Sequence, residues 1–517
     1  MVFRSNARAL ALGVATMSSL AHGKPLTTSV VARDGGEGPC DIYKAGGTPC
    51  VAAHGLTRAL YGGYSGPLYQ LLRGDGATQD VSTSSAGGVA NVDDQDSFCN
   101  GQTCCISIIY DQSGNENHLT RAPGGSAGDG PEAGGFDFLA GAYGAPVTLN
   151  GKRAYGMFGS PMTGYRNNEA KGIALNDDPE GMYAVFDGTH YDAACCFDYG
   201  NAEPDNIDPP GEGVGDGRME ALYFGKGDGW SGTGDGDGPW IMADLENYLF
   251  AGGEKGKQTY NPVQTTRFVT GHLKGDSGNH WALKSGDGNS DAIKTIYDGP
   301  RSSQGNYNPM RKEGAIVLGV GGDNSHGSQG TFYEGAMVSG YPSDDTDAKV
   351  QANIAAAGYA ETDLNIGDTL TVGSTVTFTS TSACCTSRLL AHDGETVNTQ
   401  EVAASAGNAQ WTVRTGLGNA GCFSFESVDT PGSFIRHKNY QLYIDPSDGS
   451  QAFGEDATYC TQPGVNGKGT TIRSWSYSAR YIRHFNSLGY IAANGGFNDF
   501  DTPATFLDDV SWLVGTA

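Results

Sequence analysis

Several things are scarce in this chain of 517 residues, and each scarcity closes off a class of function. Cations are few: 32 Lys and Arg stand against 58 Asp and Glu, a formal net charge of −26. Such a surface cannot neutralise a phosphate backbone, which argues against nucleic acid as a partner. It disfavours an anionic membrane for the same reason. Charged residues of both signs make up only 17% of the chain. Beyond the first twenty or so residues no apolar run is long enough to span a bilayer. No Asn-x-Ser/Thr triplet occurs, so N-glycosylation is not expected. No Cys-x-x-Cys pair occurs, so zinc ligands at that spacing are missing. The balance suits a soluble secreted protein acting on a neutral polymer.

What is present begins with a leader. Arg4 and Arg8 precede an apolar run from Ala9 to Leu20, and small residues Ala21 and Gly23 follow. This is the charged, apolar and cleavage pattern of a signal peptide, placed at 1–23. A polar segment, 24–37, is expected to be flexible or processed. Eleven cysteines fit an oxidising compartment and leave at least one thiol unpaired. Three pairs are adjacent: Cys104-Cys105, Cys195-Cys196 and Cys384-Cys385. Disulfides prefer Cα atoms wider apart than 3.8 Å, so neighbours are expected to pair elsewhere or stay free. The 80 glycines follow no period and read as turns between short strands. Strand-like segments lie at Ile106–Tyr110, Gly181–Phe186, Glu220–Phe224, Trp240–Phe250, Ala315–Val320 and Thr331–Ser339. Val51–Leu72 and Asp347–Gly358 read as helical. The pattern predicts an all-β protein with a β-sandwich over 38–360.

The C-terminal part repeats itself three times. Leu390-Ala391-His392, Ile435-Arg436-His437 and Ile482-Arg483-His484 are each followed by a polar-x-polar-aromatic step. Those steps are Asn408-Ala409-Gln410-Trp411, Asp456-Ala457-Thr458-Tyr459 and Asp509-Val510-Ser511-Trp512. Three β-rich copies of about 45–50 residues predict a β-trefoil over 361–517, a fold used more for binding than for catalysis.

The chemistry should therefore lie upstream. In Pro239–Phe250, read as a strand, Trp240, Met242, Asp244 and Glu246 share one face, and Ile241, Ala243 and Leu245 face a core. Two carboxylates beside aromatic and sulfur side chains suit a sugar cleft. Gly321-Gly322 after a strand places Asp323 on a turn where backbone can approach a ligand closely. Glycoside hydrolysis needs two such carboxyls, and Glu246 with Asp323 is the pair on offer. Glu220 and Glu334 are further acids. Val51-Ala-Ala-His54 and Gly275-Asp-Ser-Gly278 resemble fragments of a serine protease, but that triad is defined by geometry. Asp235, Asp237 and Glu246 match three calcium-loop positions, but Trp240 stands where such a loop requires glycine.

Longer strings point further. Gly38-Pro-Cys-Asp-Ile-Tyr43, Tyr110-Asp-Gln-Ser-Gly-Asn115, Cys195-Cys-Phe-Asp-Tyr-Gly-Asn-Ala-Glu203, Gly238-Pro-Trp-Ile-Met-Ala-Asp-Leu-Glu-Asn247 and Gly321-Gly-Asp-Asn-Ser325 occur in one order. Together they resemble the fungal α-L-arabinofuranosidases of glycoside hydrolase family 54, which carry a C-terminal arabinose-binding module of carbohydrate-binding family 42. The resemblance runs from about Gly38 to the C-terminus. It implies a concanavalin-like sandwich, with Glu246 as nucleophile and Asp323 as general acid/base of a retaining mechanism. It implies sugar contacts from Asp244, Asn247, Gly322 and Trp230, and a bonded Cys195–Cys196 pair lining the pocket. It further implies disulfides Cys40–Cys50, Cys99–Cys104 and Cys422–Cys460, leaving Cys105, Cys384 and Cys385 unassigned. In the module it implies arabinose contacts by His437 with Asp456 and by His484 with Asp509. The first copy has His392 but Asn408, whose amide lacks a carboxylate's acceptor strength, so that pocket is expected to be weak or empty.

The expected protein is a secreted, monomeric, exo-acting α-L-arabinofuranosidase that needs no metal or organic cofactor. It would remove terminal arabinofuranosyl groups from arabinoxylan, arabinan and their oligomers in plant cell walls. The alternatives are a β-xylosidase or bifunctional glycosidase on the same fold, and a non-catalytic arabinan-binding protein.

Overall fold

A computed structural model describes residues 36–516 apart from 212, 228, 368 and 369. The expected leader at 1–23, and the segment after it up to 35, lie outside the described residues.

The chain is all-β in character, as expected, but both architectures differ from the expectation. The strands from Cys50–Gly55 to Tyr359–Glu361 are not two separate sandwich sheets. They are hydrogen-bonded into one 19-stranded sheet. The joining element is the long strand Gly330–Ser339. Along one edge it pairs with Glu180–Tyr191 throughout, through two register shifts, and along the other it pairs with Lys152–Gly159 at its start and with Cys50–Gly55 farther on. Such irregularities let one strand bend between layers, and nothing in a period-2 pattern announces them.

The C-terminal region is likewise corrected from a β-trefoil to a closed barrel. From Thr375–Ser380 the pairings pass through Trp411–Thr415, Phe423–Ser427, Ser433–Lys438, Gln441–Pro446 and Thr396–Gln400. They continue through Leu488–Ala492, Tyr481–Phe485, Thr470–Ser474 and Ser511–Thr516, which returns to Thr375–Ser380 and completes a ring of ten strands. The threefold repeat marks similar units but does not dictate how their edges pair. Each repeat does contribute a buried aromatic. The Trp411 indole donates to the Leu390 carbonyl at 3.1 Å and that of Trp512 to the Ile482 carbonyl at 3.0 Å, while the Tyr459 hydroxyl donates to the Asp456 carbonyl at 3.2 Å. These bonds satisfy the polar end of a large apolar side chain whose burial is worth about 2–3 kcal/mol.

The region read as a helix at Val51–Leu72 is instead Cys50–Gly55 followed by Pro67–Arg73, both strands. The late helix is present as Asp344–Ala356, capped by Ser343 accepting from Thr346. The barrel docks on the large sheet through a mixed seam. Trp475 meets Phe158 and His190 edge-on, and the Ser160 hydroxyl donates to the Ser476 carbonyl at 2.6 Å.

Candidate active site and barrel pockets

Four neighbouring strands position the acids. Ala315–Leu318 pairs with Asp198–Ala202, which pairs with Glu220–Gly225, which pairs with Trp240–Asp244. On the last strand Ile241 and Ala243 enter the main core, while Trp240 and Met242 pack with Cys196 and Tyr223. The strand stops at Asp244, so Glu246 does not continue its alternation. The chain turns through Leu245–Tyr248 and pairs back through Leu249 and Phe250. Within that turn Glu246 and Asn247 have φ of 65° and 60°. Left-handed backbone at consecutive non-glycine residues is uncommon and persists only where surroundings hold it. Here the Glu246 amide donates to Asp244 Oδ1 at 2.9 Å, Tyr307 Oη donates to the Glu246 carbonyl at 3.1 Å, and Asn247 Nδ2 donates to Asp216 Oδ1 at 3.1 Å.

Asp323 sits on the turn after Ala315–Leu318. Its Oδ1 accepts from the Ser325 amide at 2.9 Å. The Ser325 carbonyl accepts from the amides of Gly321 at 3.0 Å and Cys196 at 3.2 Å, which ties this turn to the Cys195–Cys196 disulfide. Cys196 Sγ lies 3.5 Å from Asp244 Oδ2. The disulfide, Asp244 and the Asp323 turn are therefore one packed unit. Cys195, Cys196 and Asp244 are close enough to surround a cation, but their sulfurs are bonded to each other and cannot serve as thiolates. A Cβ at Gly322 would meet the Glu203 carboxyl, which would have to shift to admit it. Trp230 is exposed and stands edge-on to Tyr248, in the turn that carries Glu246, at 6.2 Å between ring centroids.

Carboxylates crowd this cleft. Burial raises Glu246 well above the ordinary carboxylate value, and the charges of Glu203, Asp244 and Asp323 add to the shift. Burial pushes Asp244 and Glu203 each up to about 7. Asp198 is fully buried, raised first by burial and then by Asp244, and its oxygens meet no other donor. Burial and the neighbouring carboxyl both favour the protonated form of Asp198. The nearby Arg166 is occupied by backbone: it donates to the carbonyls of Gly322 at 2.8 Å and Glu203 at 2.6 Å.

In the barrel burial also pushes Asp456 up to about 7, but there the acids have arginine partners. Arg436 Nη2 meets Asp456 Oδ2 at 2.9 Å, and His437 Nε2 is 3.2 Å from Asp456 Oδ1 and 3.1 Å from Ser476 Oγ. In the third copy Arg483 Nη2 meets Asp509 Oδ2 at 2.9 Å, and His484 Nε2 contacts Ser380 Oγ at 2.9 Å and Ser382 Oγ at 3.0 Å. The first copy has Ala391 in place of the arginine, and Asn408 turns back to donate to the His392 carbonyl at 2.9 Å. His392 instead pairs with Asp429 at 2.8 Å.

Comparisons with known proteins agree with this arrangement. Residues 39–360 match the model described as α-L-arabinofuranosidase B, catalytic, and residues 378–514 match the α-L-arabinofuranosidase B (ABFB) domain. The chain belongs to the α-L-arabinofuranosidase B family. It is 57% identical over 516 residues to an α-L-arabinofuranosidase from Hypocrea jecorina, covering 99% of each chain. It is equally 57% identical over 516 residues to an arabinofuranosidase/B-xylosidase from Trichoderma koningii, again covering 99% of each. A solved GH54 α-L-arabinofuranosidase soaked with a cyclic sulfate inhibitor superimposes with a TM-score of 0.90 at 55% identity, covering 93% of this chain and 99% of that one. An arabinofuranosidase complexed with arabinofuranosyl-α-1,2-xylobiose gives a TM-score of 0.90 at 54% identity with the same coverage.

Within this α-L-arabinofuranosidase B family member, the structure brings Glu246, Asp323, Asp244, Asn247, Gly322 and the bonded Cys195–Cys196 pair to one cleft. Disulfides also join Cys40–Cys50, Cys99–Cys104, Cys422–Cys460 and Cys384–Cys385, and Cys105 is a free thiol. The Cys384–Cys385 bond corrects the expectation that adjacent cysteines avoid each other. Sequence reasoning missed Asp198, Glu203 and Arg166 as parts of the cleft, and Asp208, whose charge also raises Glu246. Asp198 and Glu203 were visible only as members of the string that opens with Cys195. Glu220 and Glu334 are structural: Glu220 is paired with Arg301 at 2.9 Å and Lys312 at 3.0 Å, and Glu334 with Arg58 at 2.5 Å.

Proposed function

We propose that Glu246 and Asp323 carry out retaining, exo-acting hydrolysis of terminal α-L-arabinofuranosyl groups. Glu246, ionised once its proton has passed to the neighbouring carboxyls, attacks the anomeric carbon while Asp323, in its protonated form, protonates the departing glycosidic oxygen. Asp323 then draws a proton from water, which releases the sugar from Glu246. The observation that carries this reading is the concentration of buried carboxyls at one cleft with no arginine or lysine spent on their oxygens. Positive charge developing on the furanose ring relieves their mutual repulsion, so the site favours the oxocarbenium-like transition state over the neutral ground state. Asp244, Asn247 and Gly322 orient the ring, the Cys195–Cys196 disulfide forms a wall beside it, and Trp230 covers the rim. The barrel pockets at His437/Asp456 and His484/Asp509 hold arabinofuranosyl side chains of plant cell-wall polysaccharide, and the His392/Asn408 copy binds weakly or not at all. The protein acts outside the cell as a monomer, a setting its disulfides suit.

Hydrolysis of aryl α-L-arabinofuranoside and aryl β-xyloside by wild type and Glu246→Ala tests the reading. Wild type is expected to cleave the arabinoside, and Glu246→Ala to lose at least about 10³-fold in kcat. An inactive wild type refutes the activity, and a Glu246→Ala enzyme of normal rate refutes the nucleophile. Because one relative at 57% identity is named arabinofuranosidase/B-xylosidase, slower xyloside cleavage is a second reading that the same assay measures.

A further inference from the structure

The second and third barrel pockets share a plan but not a setting. Around the third, the segment Ser380–Ser382 is held entirely by the barrel: the Thr381 hydroxyl donates to the carbonyls of Asp508 and Ser511 at 2.9 Å, and Asn466 Nδ2 donates to Thr381 Oγ1 at 2.9 Å. The equivalent segment of the second pocket, Ser474–Ser476, is held by the barrel through the Ser474 amide to the Arg480 carbonyl at 2.9 Å and the Trp475 amide to the Thr458 carbonyl at 3.0 Å, and by the large sheet as well. Trp475 meets the stacked pair of Phe158 and His190 edge-on, and the Ser476 carbonyl accepts from Ser160. Gln451, beside the same pocket, donates to the Tyr191 carbonyl at 2.7 Å.

A cavity of about 310 Å³ opens at this seam. Its barrel side presents Asp456, Ser476 and Glu455, and its other side presents Pro161, Asp192 and Gln329 from the large sheet. That volume suits a small ring with part of its attached chain. The wall chemistry is dense in acceptors, with an apolar Pro161 face, and so suits a polyhydroxylated, uncharged ligand. Asp192 is anchored, accepting from Ser328 Oγ at 2.9 Å and the Ala194 amide at 3.1 Å. It is thereby fixed three residues from the Cys195–Cys196 wall of the catalytic cleft.

We propose that the second barrel pocket is a composite site, in which Pro161, Asp192 and Gln329 of the catalytic domain complete the His437/Asp456 half-site and touch the arabinofuranosyl group, or the sugar that bears it. This rests on the reading of His437 and Asp456 as a sugar pocket. A branch held here lies across the domain seam, beside the loop that leads to the catalytic cleft, whereas a branch held at Asp509 touches the barrel alone.

The full-length chain tests it with Asp509→Ala as the parent, so that the second pocket reports alone. Retention on insoluble arabinoxylan is measured for this parent and for the same chain carrying Asp456→Ala, Gln329→Ala or Pro161→Trp. Thermal midpoints establish that each variant is folded. The parent is expected to be retained, Asp456→Ala to abolish that retention, and Gln329→Ala and Pro161→Trp each to weaken it at least about fivefold. Retention unchanged in both catalytic-domain variants overturns the composite site alone. Retention already absent in the parent, or indifferent to Asp456→Ala, overturns the sugar-binding reading of the second pocket and the composite site with it. Should Pro161→Trp fail to fold, Gln329→Ala decides.

Discussion

The cleft and the barrel pockets, both proposed to take sugar, each present carboxylates, but they partner them differently. In the barrel each acid of the second and third copies has its own arginine, Arg436 for Asp456 and Arg483 for Asp509, and a histidine alongside. In the cleft burial raises Asp198, Glu203, Asp244 and Glu246, the charge of Asp323 adds to each, and Arg166 beside them donates to backbone carbonyls rather than to their oxygens. A compensated carboxylate is a stable acceptor for ground-state hydroxyls. An uncompensated cluster is costly at rest and is relieved only when positive charge arrives. On the proposed reading, the difference separates holding a sugar from breaking its bond.

The comparison breaks most visibly at the cleft. Asp323→Ala should lower kcat about 10²–10⁴-fold on natural oligosaccharides, with a much smaller loss on nitrophenyl arabinosides, whose leaving group departs without a proton. Steady-state kinetics on both substrates checks this, and equal losses on the two would remove Asp323 from the acid role. Asp456→Ala combined with Asp509→Ala should weaken retention on insoluble arabinoxylan roughly 10-fold or more, since each substitution removes a charge-assisted acceptor worth about 1.5–3 kcal/mol. The same double variant should hydrolyse aryl arabinoside at close to the wild-type rate; parallel loss of both functions would erase the division of labour.

A smaller effect concerns pH. Glu203 is raised to about 7 by burial, so between the ordinary glutamate value and about 7 the folded protein holds a proton that the unfolded chain releases. Stability from this group is therefore greatest at low pH and declines as pH rises through that window. Glu203→Gln should raise the thermal midpoint at pH 7.5 by a few degrees relative to wild type and alter it little at pH 4.5. A midpoint difference independent of pH would show that Glu203 is not a proton-holding member of the cluster.

Much of this was legible in the sequence, for identifiable reasons. The alternation of Trp240 to Asp244 placed Ile241 and Ala243 in a core because burial enforces period 2. The same logic carried Glu246 one step too far, since nothing in the pattern marks where a strand yields to a left-handed turn. The repeat exposed His437, His484 and the loss of the first copy's acid. It could not show that Arg436 and Arg483 pair with the acids, because that depends on strand pairing. Sheet closure was misread in both regions: register shifts in Gly330–Ser339 and the double pairing of Ser511–Thr516 are contacts between distant segments. Asp198 and Glu203 were hidden because a buried acid without a partner looks, in sequence, like any exposed one.

The central claim is that Glu246, among the crowded acids, forms the bond to the sugar. Its most direct test is to inactivate the protein with an arabinofuranose-configured cyclic sulfate and map the adduct by peptide mass spectrometry. One adduct per chain, on Glu246, is the predicted result. Inactivation with the label on Asp244, Glu203 or Asp323 would contradict it.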